Sequence, residues 1–128
     1  MESETFDSND AWILWAIPPV KEGTDLRGLI SAADALNHAI PDRSLIEKSI
    51  NRGLRSGLLE ISGDRIRFVP RHRKKLEEAH GVSKKWFKQL DAVYEYLASR
   101  DWPAISESRY SLSKRQYYKV VEGYMNSF

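Results

Sequence analysis

Cysteine is absent from this sequence of 128 residues, and long apolar runs are scarce. Without cysteine, disulfides and thiolate metal sites are excluded, and the composition fits a reducing compartment. The longest apolar run covers residues 11–17 and stops at Pro18, well short of the roughly 20 residues that a membrane-spanning helix needs. The acidic start, residues 1–5, has neither the basic part nor the apolar part of a secretion signal. We therefore expect a cytoplasmic protein.

Recognisable catalytic motifs are also missing. The sequence has no glycine-rich phosphate loop, no nucleophile elbow and no His-Glu metal motif. His72 and His80 have no ligand pattern between them that matches a metal site. The adjacent Glu77 and Glu78 would point in different directions on a helix, which does not suit paired acid–base chemistry. We therefore predict a protein that is not an enzyme and uses no cofactor and no metal.

Charge is plentiful but unevenly distributed. The chain has a net charge of only +2. Residues 1–42 carry −6, whereas residues 43–75 carry +7, with ten Lys and Arg against three Asp and Glu. Charge concentrated in this way creates a local basic field, which the overall net charge understates.

Periodicity and turn residues predict the order of the elements. Three helices are expected in the first half, approximately over residues 9–17, 24–37 and 42–56. A hairpin follows, because residues 65–69 alternate charged and apolar side chains and Gly63 precedes them in a tight turn. Three more helices are expected, over residues 71–80, over 82–100, and from Ser111 or Ser113 onward.

This order indicates a mainly α fold with a small β-hairpin, of the α+β class. Helix, helix, turn, helix and hairpin within about 60 residues is the plan of a winged helix-turn-helix domain. We expect a disordered lead-in over residues 1–8, this domain over 9–70 and a helical extension over 71–128.

Particular segments of the first half resemble a known family. Residues 54–59 and 63–68 resemble the end of a recognition helix and the wing of small bacterial winged-helix regulators of transcription. Residues 25–41, which end in Asn37-His38-Ala39-Ile40-Pro41, resemble poorly characterised winged-helix proteins with an Asn-His pair at the same corner. After the wing those regulators commonly carry Thr and then Gly, whereas this chain has residues 69–72, Val-Pro-Arg-His.

The resemblance and the basic field favour one function, binding of double-stranded DNA by a transcriptional regulator. Helix 43–56 would enter the major groove, and hairpin 61–69 would hold the DNA backbone. Asn51 suits adenine, and an arginine suits guanine. The expected DNA-binding residues are Arg43, Ser44, Lys48, Asn51, Arg52, Arg55, Arg65, Arg67, Arg71 and Arg73.

Other interpretations stay open from the sequence. Helix faces are often charged only to stay hydrated, and winged-helix domains also serve as protein–protein interaction modules. In that alternative, the aromatic C-terminal helices form the docking or dimerisation surface. The stripe on helix 82–100 would pack on the domain or pair in a homodimer; it consists of Trp86, Leu90, Val93, Tyr94 and Leu97.

The pair Asn37-His38 has two interpretations as well. One makes it a ligand or a proton switch. The other makes His38 a buried or half-buried histidine that bonds the backbone, with Asn37 capping the end of the second helix. The sequence favours this second, structural interpretation.

Overall fold

A computed structural model describes residues 3–128, in which six helices accompany two small antiparallel sheets. The helices are α1 (Ser8–Trp15), α2 (Leu26–Asn37), α3 (Arg43–Arg55), α4 (Pro70–Gly81), α5 (Trp86–Ala98) and α6 (Lys114–Met125). The strands are β1 (Ser3–Glu4), β2 (Leu59–Ser62), β3 (Arg65–Phe68) and β4 (Trp102–Pro103). The predicted mainly α fold with a small β-hairpin is confirmed.

Side-chain caps set the starts of three helices. Asp7 and Asp10 form a reciprocal capping box on α1, in which each carboxylate accepts the other residue's amide at 2.9 Å. Asp25 caps α2 by accepting the Gly28 amide at 2.8 Å, and Ser113 caps α6. Each cap satisfies an amide that lacks a partner inside its helix, so these caps mark where the helices begin.

The corner after α2 is built by backbone rather than by a histidine ring. His38 adopts the left-handed conformation, with φ of 53°, and its amide donates to the Asp34 carbonyl at 2.7 Å. Its side chain is exposed. The expectation of a buried or half-buried His38 is therefore wrong, because its main chain closes the helix end.

The hairpin has a third strand-like partner from earlier in the chain. In the hairpin, Leu59 lies opposite Phe68 and Ser62 opposite Arg65. On the outer side of β3, Thr24 and Ile66 exchange two backbone hydrogen bonds of 2.9 and 2.7 Å. A single β-bridge therefore ties the loop between the first two helices to the hairpin, so that residues 8–68 run helix, bridge, helix, helix and hairpin in that order.

The helices that follow the hairpin pack against the first half. α5 lies against α1 and α4, and α6 lies against α2. One core therefore contains buried side chains from both halves, among them Ile13, Phe68, Val93 and Leu97. Within residues 3–128, no helix is both long enough and apolar enough to cross a membrane.

Residues 3–8 belong to this fold, so the prediction of a disordered lead-in is wrong for them. β1 pairs with β4, which places Glu4 opposite Trp102. Phe6 is buried and meets Trp102 edge-on, with ring centroids 5.5 Å apart. Strand pairing and burial of one aromatic ring hold a segment that is otherwise polar. The same prediction also covered Met1 and Glu2, which lie outside the described residues.

Candidate functional site

α3 is the helix that the sequence assigns to the major groove. Its apolar stripe, Ile46, Ile50 and Leu54, is buried as its spacing predicts. On the opposite side only Ser44 of the expected DNA-binding residues is exposed. The other five are half-buried, namely Arg43, Lys48, Asn51, Arg52 and Arg55.

Acidic residues of the N-terminal segment cover one flank of α3. Arg52 Nη1 donates to Asp10 Oδ2 at 2.5 Å, and Ser49 Oγ donates to the other Asp10 oxygen at 2.6 Å. The Asp10 carboxylate has no exposed surface. Lys48 Nζ lies 3.3 Å from Asp7 Oδ2, and Arg55 pairs with Glu4. Carboxylates of the chain therefore sit where the hypothesis requires phosphates.

Residues 110–112 cover the other flank of α3 with their backbone. Asn51 Nδ2 donates to the Tyr110 carbonyl at 2.8 Å, and the Tyr110 amide donates back to Asn51 Oδ1 at 2.7 Å. Arg43 Nη1 donates to the Leu112 carbonyl at 2.8 Å, and the Leu112 amide donates to Glu47 at 2.8 Å. Both atoms with which Asn51 would read adenine are therefore occupied by peptide groups.

The cationic face of helix 43–56, which binding in the major groove would require to be open, is therefore largely covered in the structure. Its donors already have partners inside the chain. Without Arg52 and Ser49, the buried carboxylate of Asp10 would be unpaired, which is energetically costly. One sequence signal pointed to this arrangement, because residues 1–42 carry −6 and could neutralise the +7 of residues 43–75. The pairing itself joins residues about 40 to 60 positions apart (Asp10 to Arg52 and Asn51 to Tyr110 are 42 and 59 apart), which local patterns do not reveal.

Most cations expected on the wing are also engaged. Arg65 Nε donates to the Glu22 carbonyl at 3.1 Å, and Arg67 Nε donates to Glu60 at 2.9 Å. Arg73 reaches the Phe68 carbonyl at 3.3 Å. The cations that are exposed in this region lie on α4: Arg71, Lys74 and Lys75. Lys75 pairs with Glu78, and Lys74 has no partner among residues 3–128.

Arg71 also belongs to a cluster that the sequence did not suggest. Its Nε lies 3.2 Å from Nε2 of the buried His72, and His72 Nδ1 lies 2.6 Å from the Tyr96 hydroxyl. The Arg100 guanidinium lies over the rings of Tyr96 and Trp102, at 5.3 and 5.5 Å from their centroids. Burial, with repulsion from Arg71 and Arg100, lowers the pKa of His72 to about 4. His72 is therefore neutral at pH 7.

The aromatic stripe of α5 divides between core and surface. Val93 and Leu97 are buried, and Leu90 is half-buried. Trp86, Phe87 and Tyr94 are exposed by 51%, 46% and 41%, and the first two meet edge-on at 5.7 Å. Phe87, absent from the predicted stripe, lies on the same side as Tyr94, because seven residues make about two helical turns. We call Trp86, Phe87 and Tyr94 the aromatic face.

The charge of the side chains that border the aromatic face changes sign along α5. Three exposed lysines lie near the start of α5, at positions 84, 85 and 88. Two exposed acids, Asp91 and Glu95, lie in its second half. One end of the helix is therefore cationic and the middle to far end is more acidic.

Comparisons with known proteins found no relative of this chain. No family model matches it, and neither a curated protein nor a solved structure matches it. The geometry of residues 3–128 is therefore the basis for assigning a function.

Proposed function

We propose that this chain is a non-enzymatic winged-helix interaction module that pairs with a second copy of itself through the aromatic face of α5. The observation behind this proposal is a contrast in exposure. The cationic residues of α3 are bound within the chain, whereas Trp86, Phe87 and Tyr94 are roughly half exposed. Adjacent exposed aromatic side chains are typical of protein interfaces, where they supply large contact area.

A two-fold antiparallel pairing fits the spacing of the aromatic face. If the axis passes between positions 90 and 91, Phe87 of one copy lies across from Tyr94 of the other, and the same contact occurs twice. Self-complementary contacts of this kind are the requirement for a closed dimer. Trp86 would extend the contact at both ends of the pair.

The charges beside the aromatic face favour the same antiparallel arrangement. Lys84 and Lys88 of one copy would approach Asp91 and Glu95 of the second copy, because the cationic start of each α5 faces the more acidic part of its partner. A parallel arrangement would place lysines beside lysines. Complementary charge of this kind selects orientation and partner more than it adds affinity.

Sedimentation equilibrium of the full chain over a range of concentrations tests the proposal. We expect a monomer–dimer equilibrium that Phe87→Ser weakens by at least about tenfold, which corresponds to 1.4 kcal/mol or more. Tyr118→Ser is the matched control, because Tyr118 is an exposed aromatic residue on α6 (64% exposed) and lies outside the proposed contact. The control should dimerise like the parent chain.

Charge reversal tests the orientation separately. Lys88→Glu should weaken the dimer, and the double variant with Glu95→Lys should restore most of the affinity, because the pair is exchanged across the antiparallel contact. A chain that is monomeric at every concentration contradicts the proposal. A dimer that Phe87→Ser leaves unchanged contradicts the α5 surface.

A second candidate is binding of double-stranded DNA by the hairpin and α4, a surface other than the covered face of α3. It is favoured by the winged-helix order and by the exposed cations Arg71, Lys74 and Lys75. Fluorescence anisotropy with mixed duplexes at two salt concentrations tests it. Each phosphate contact contributes about 0.9 to the salt slope, so Lys74→Gln with Lys75→Gln should lower the slope by nearly two.

The matched control for DNA binding is Lys114→Gln with Lys119→Gln, which removes two exposed lysines of α6 instead. It should keep the slope of the parent chain. Equal loss in both double variants would indicate unspecific attraction to net charge, and no binding at low salt would remove the DNA candidate.

A further inference from the structure

A small cavity opens where the end of α3, the start of α4 and β4 meet. Its volume is about 250 Å³, and its lining includes Ser56, Arg71, His72, Arg100 and Trp102. Gly57, next to Ser56, has φ of 77°. A Cβ at this glycine would lie 3.1 Å from Arg71 Nη2 and 2.5 Å from Ile105 Cδ1. A side chain at residue 57 would therefore crowd Ile105 and the guanidinium of Arg71.

We propose that Arg71 and Arg100 form a binding site in this cavity for a small oxyanion, the phosphate or carboxylate group of a small molecule. Guanidinium groups suit this role because they present several N–H donors in a fixed plane. The inference goes beyond the proposed function and is independent of it, since it uses neither the aromatic face nor a second copy.

Both arginines are held in place before any ligand arrives. Arg71 is oriented by its Nε, which is 3.2 Å from His72 Nε2, and its two terminal nitrogens are left to other partners. Arg100 is oriented by stacking over Tyr96 and Trp102. Side chains that are already ordered lose less conformational entropy on binding, so the site is preorganised for an anion.

The two arginines of the cavity have no salt-bridge partner among residues 3–128. Neither Arg71 nor Arg100 forms a salt bridge with an acid in the described part of the chain, although Asp101 also lines the cavity. Both guanidiniums repel a proton on His72. A bound oxyanion would relieve this repulsion. Charges arranged in this way do not stabilise the fold, and such arrangements are typical of functional sites.

The neutral state of His72 completes the arrangement. With its Nε2 accepting from Arg71, its Nδ1 carries the proton and donates to the Tyr96 hydroxyl. An anion beside the two arginines would offset their charge. The pKa of His72 should then rise from about 4 toward the ordinary value of 6.5.

NMR titration of the full chain with inorganic phosphate, at constant ionic strength, tests the site. The Trp102 indole N–H, which donates to the Leu97 carbonyl at 2.8 Å, and the His72 ring are the reporters. We expect saturable shifts at both and a higher pKa of His72 in saturating phosphate. Arg71→Gln and Arg100→Gln should each weaken binding by at least about tenfold. Arg109→Gln, an exposed arginine outside this cavity, should leave it unchanged.

Parallel titrations with acetate, a sugar phosphate and a short DNA duplex distinguish the sources of the anion. Saturation by any of the small anions supports the site, and the tightest of them identifies the head group. Shifts that do not saturate, or that persist equally in Arg100→Gln, overturn the proposal. Shifts caused only by the duplex also overturn it, because they would assign the arginines to a nucleic-acid surface.

Discussion

α3 and α5 are both thirteen-residue helices, but neither has the solvent exposure that its side chains would suggest. α3 carries four cationic side chains, yet most of its polar residues are half-buried against other parts of the chain. α5 carries three aromatic side chains on one side, yet about half of each remains exposed. The charged helix is enclosed, and the aromatic helix is open.

The contrast shows that the exposure of a side chain depends on whether the chain offers it a partner, as much as on its polarity. The cations of α3 can be enclosed because Glu4, Asp7 and Asp10 neutralise them at short range. Phe87 has ring contacts only with its neighbours Lys85 and Trp86 among residues 3–128 and stays 46% exposed. A basic helix is therefore a weak indicator of a nucleic-acid surface when an acidic segment of opposite and comparable charge precedes it.

The largest expected effect lies on the buried side of α5. Leu97→Ala should lower the free energy of unfolding by about 3 kcal/mol, because it leaves a cavity under a fully packed side chain. Leu97 is 1% exposed, whereas Tyr94 is 41% exposed on the outer side of the same helix. Urea unfolding at a chain concentration low enough to keep the protein monomeric should therefore show a change of less than about 0.5 kcal/mol for the control Tyr94→Ser. Equal losses in the two variants would contradict an open aromatic face.

The acid beneath α3 should give the next largest effect. Asp10→Asn removes the charge that holds Arg52 and Ser49, and we expect a loss of about 2 kcal/mol in unfolding free energy. Asp7→Asn keeps a good N-cap and changes a side chain that is 50% exposed, so it should cost well under about 1 kcal/mol. A costly Asp7→Asn with a neutral Asp10→Asn would break the account of how α3 is enclosed.

A smaller effect is expected where residues 110–112 cover α3. Asn51→Ala removes two hydrogen bonds to Tyr110 and should cost about 1 kcal/mol. Hydrogen exchange should report faster exchange at the Tyr110 amide. Ser44→Ala, at an exposed position of the same helix, should leave that amide as protected as before. Unchanged protection in Asn51→Ala would mean that other contacts hold the segment.

The smallest effect belongs to an exposed ion pair. Lys75 and Glu78 lie 3.5 Å apart, and their side chains are 60% and 53% exposed. Lys75→Gln should change the unfolding free energy by less than about 0.5 kcal/mol, because exposed pairs are weak. Thermal unfolding should give a difference that is small at low salt and smaller still at high salt, because salt screens an exposed pair. A larger loss would show that α4 depends on its charges for stability.

Local patterns were enough to predict much of the fold and little of the site. The alternation of residues 65–68 and the glycine at position 63 predicted the hairpin, and the apolar spacing in α3 predicted its buried stripe. Both signals are confined to a few neighbouring residues. The enclosure of α3 depends on pairs such as Asp10 with Arg52, which are 42 residues apart. Sequence periodicity contains no information about such pairs.

The same limit applies to the cavity arginines. Arg71 was proposed as a DNA contact because it follows the wing, and its neighbour His72 had no evident role. The structure joins them to Arg100 and Trp102, some 30 residues later, through β4 and its pairing with β1. Only the tertiary fold brings these side chains to one place.

The late position of Tyr110 has a consequence for the newly made chain. Asn51 is synthesised 59 residues before the peptide groups that occupy its amide. At the usual pace of about 5–20 residues per second, roughly 3–12 seconds of translation separate the two. During that interval Arg43, Glu47 and Asn51 lack the peptide groups that bind them, so this flank of α3 is more open in a nascent chain on the ribosome than in the finished protein.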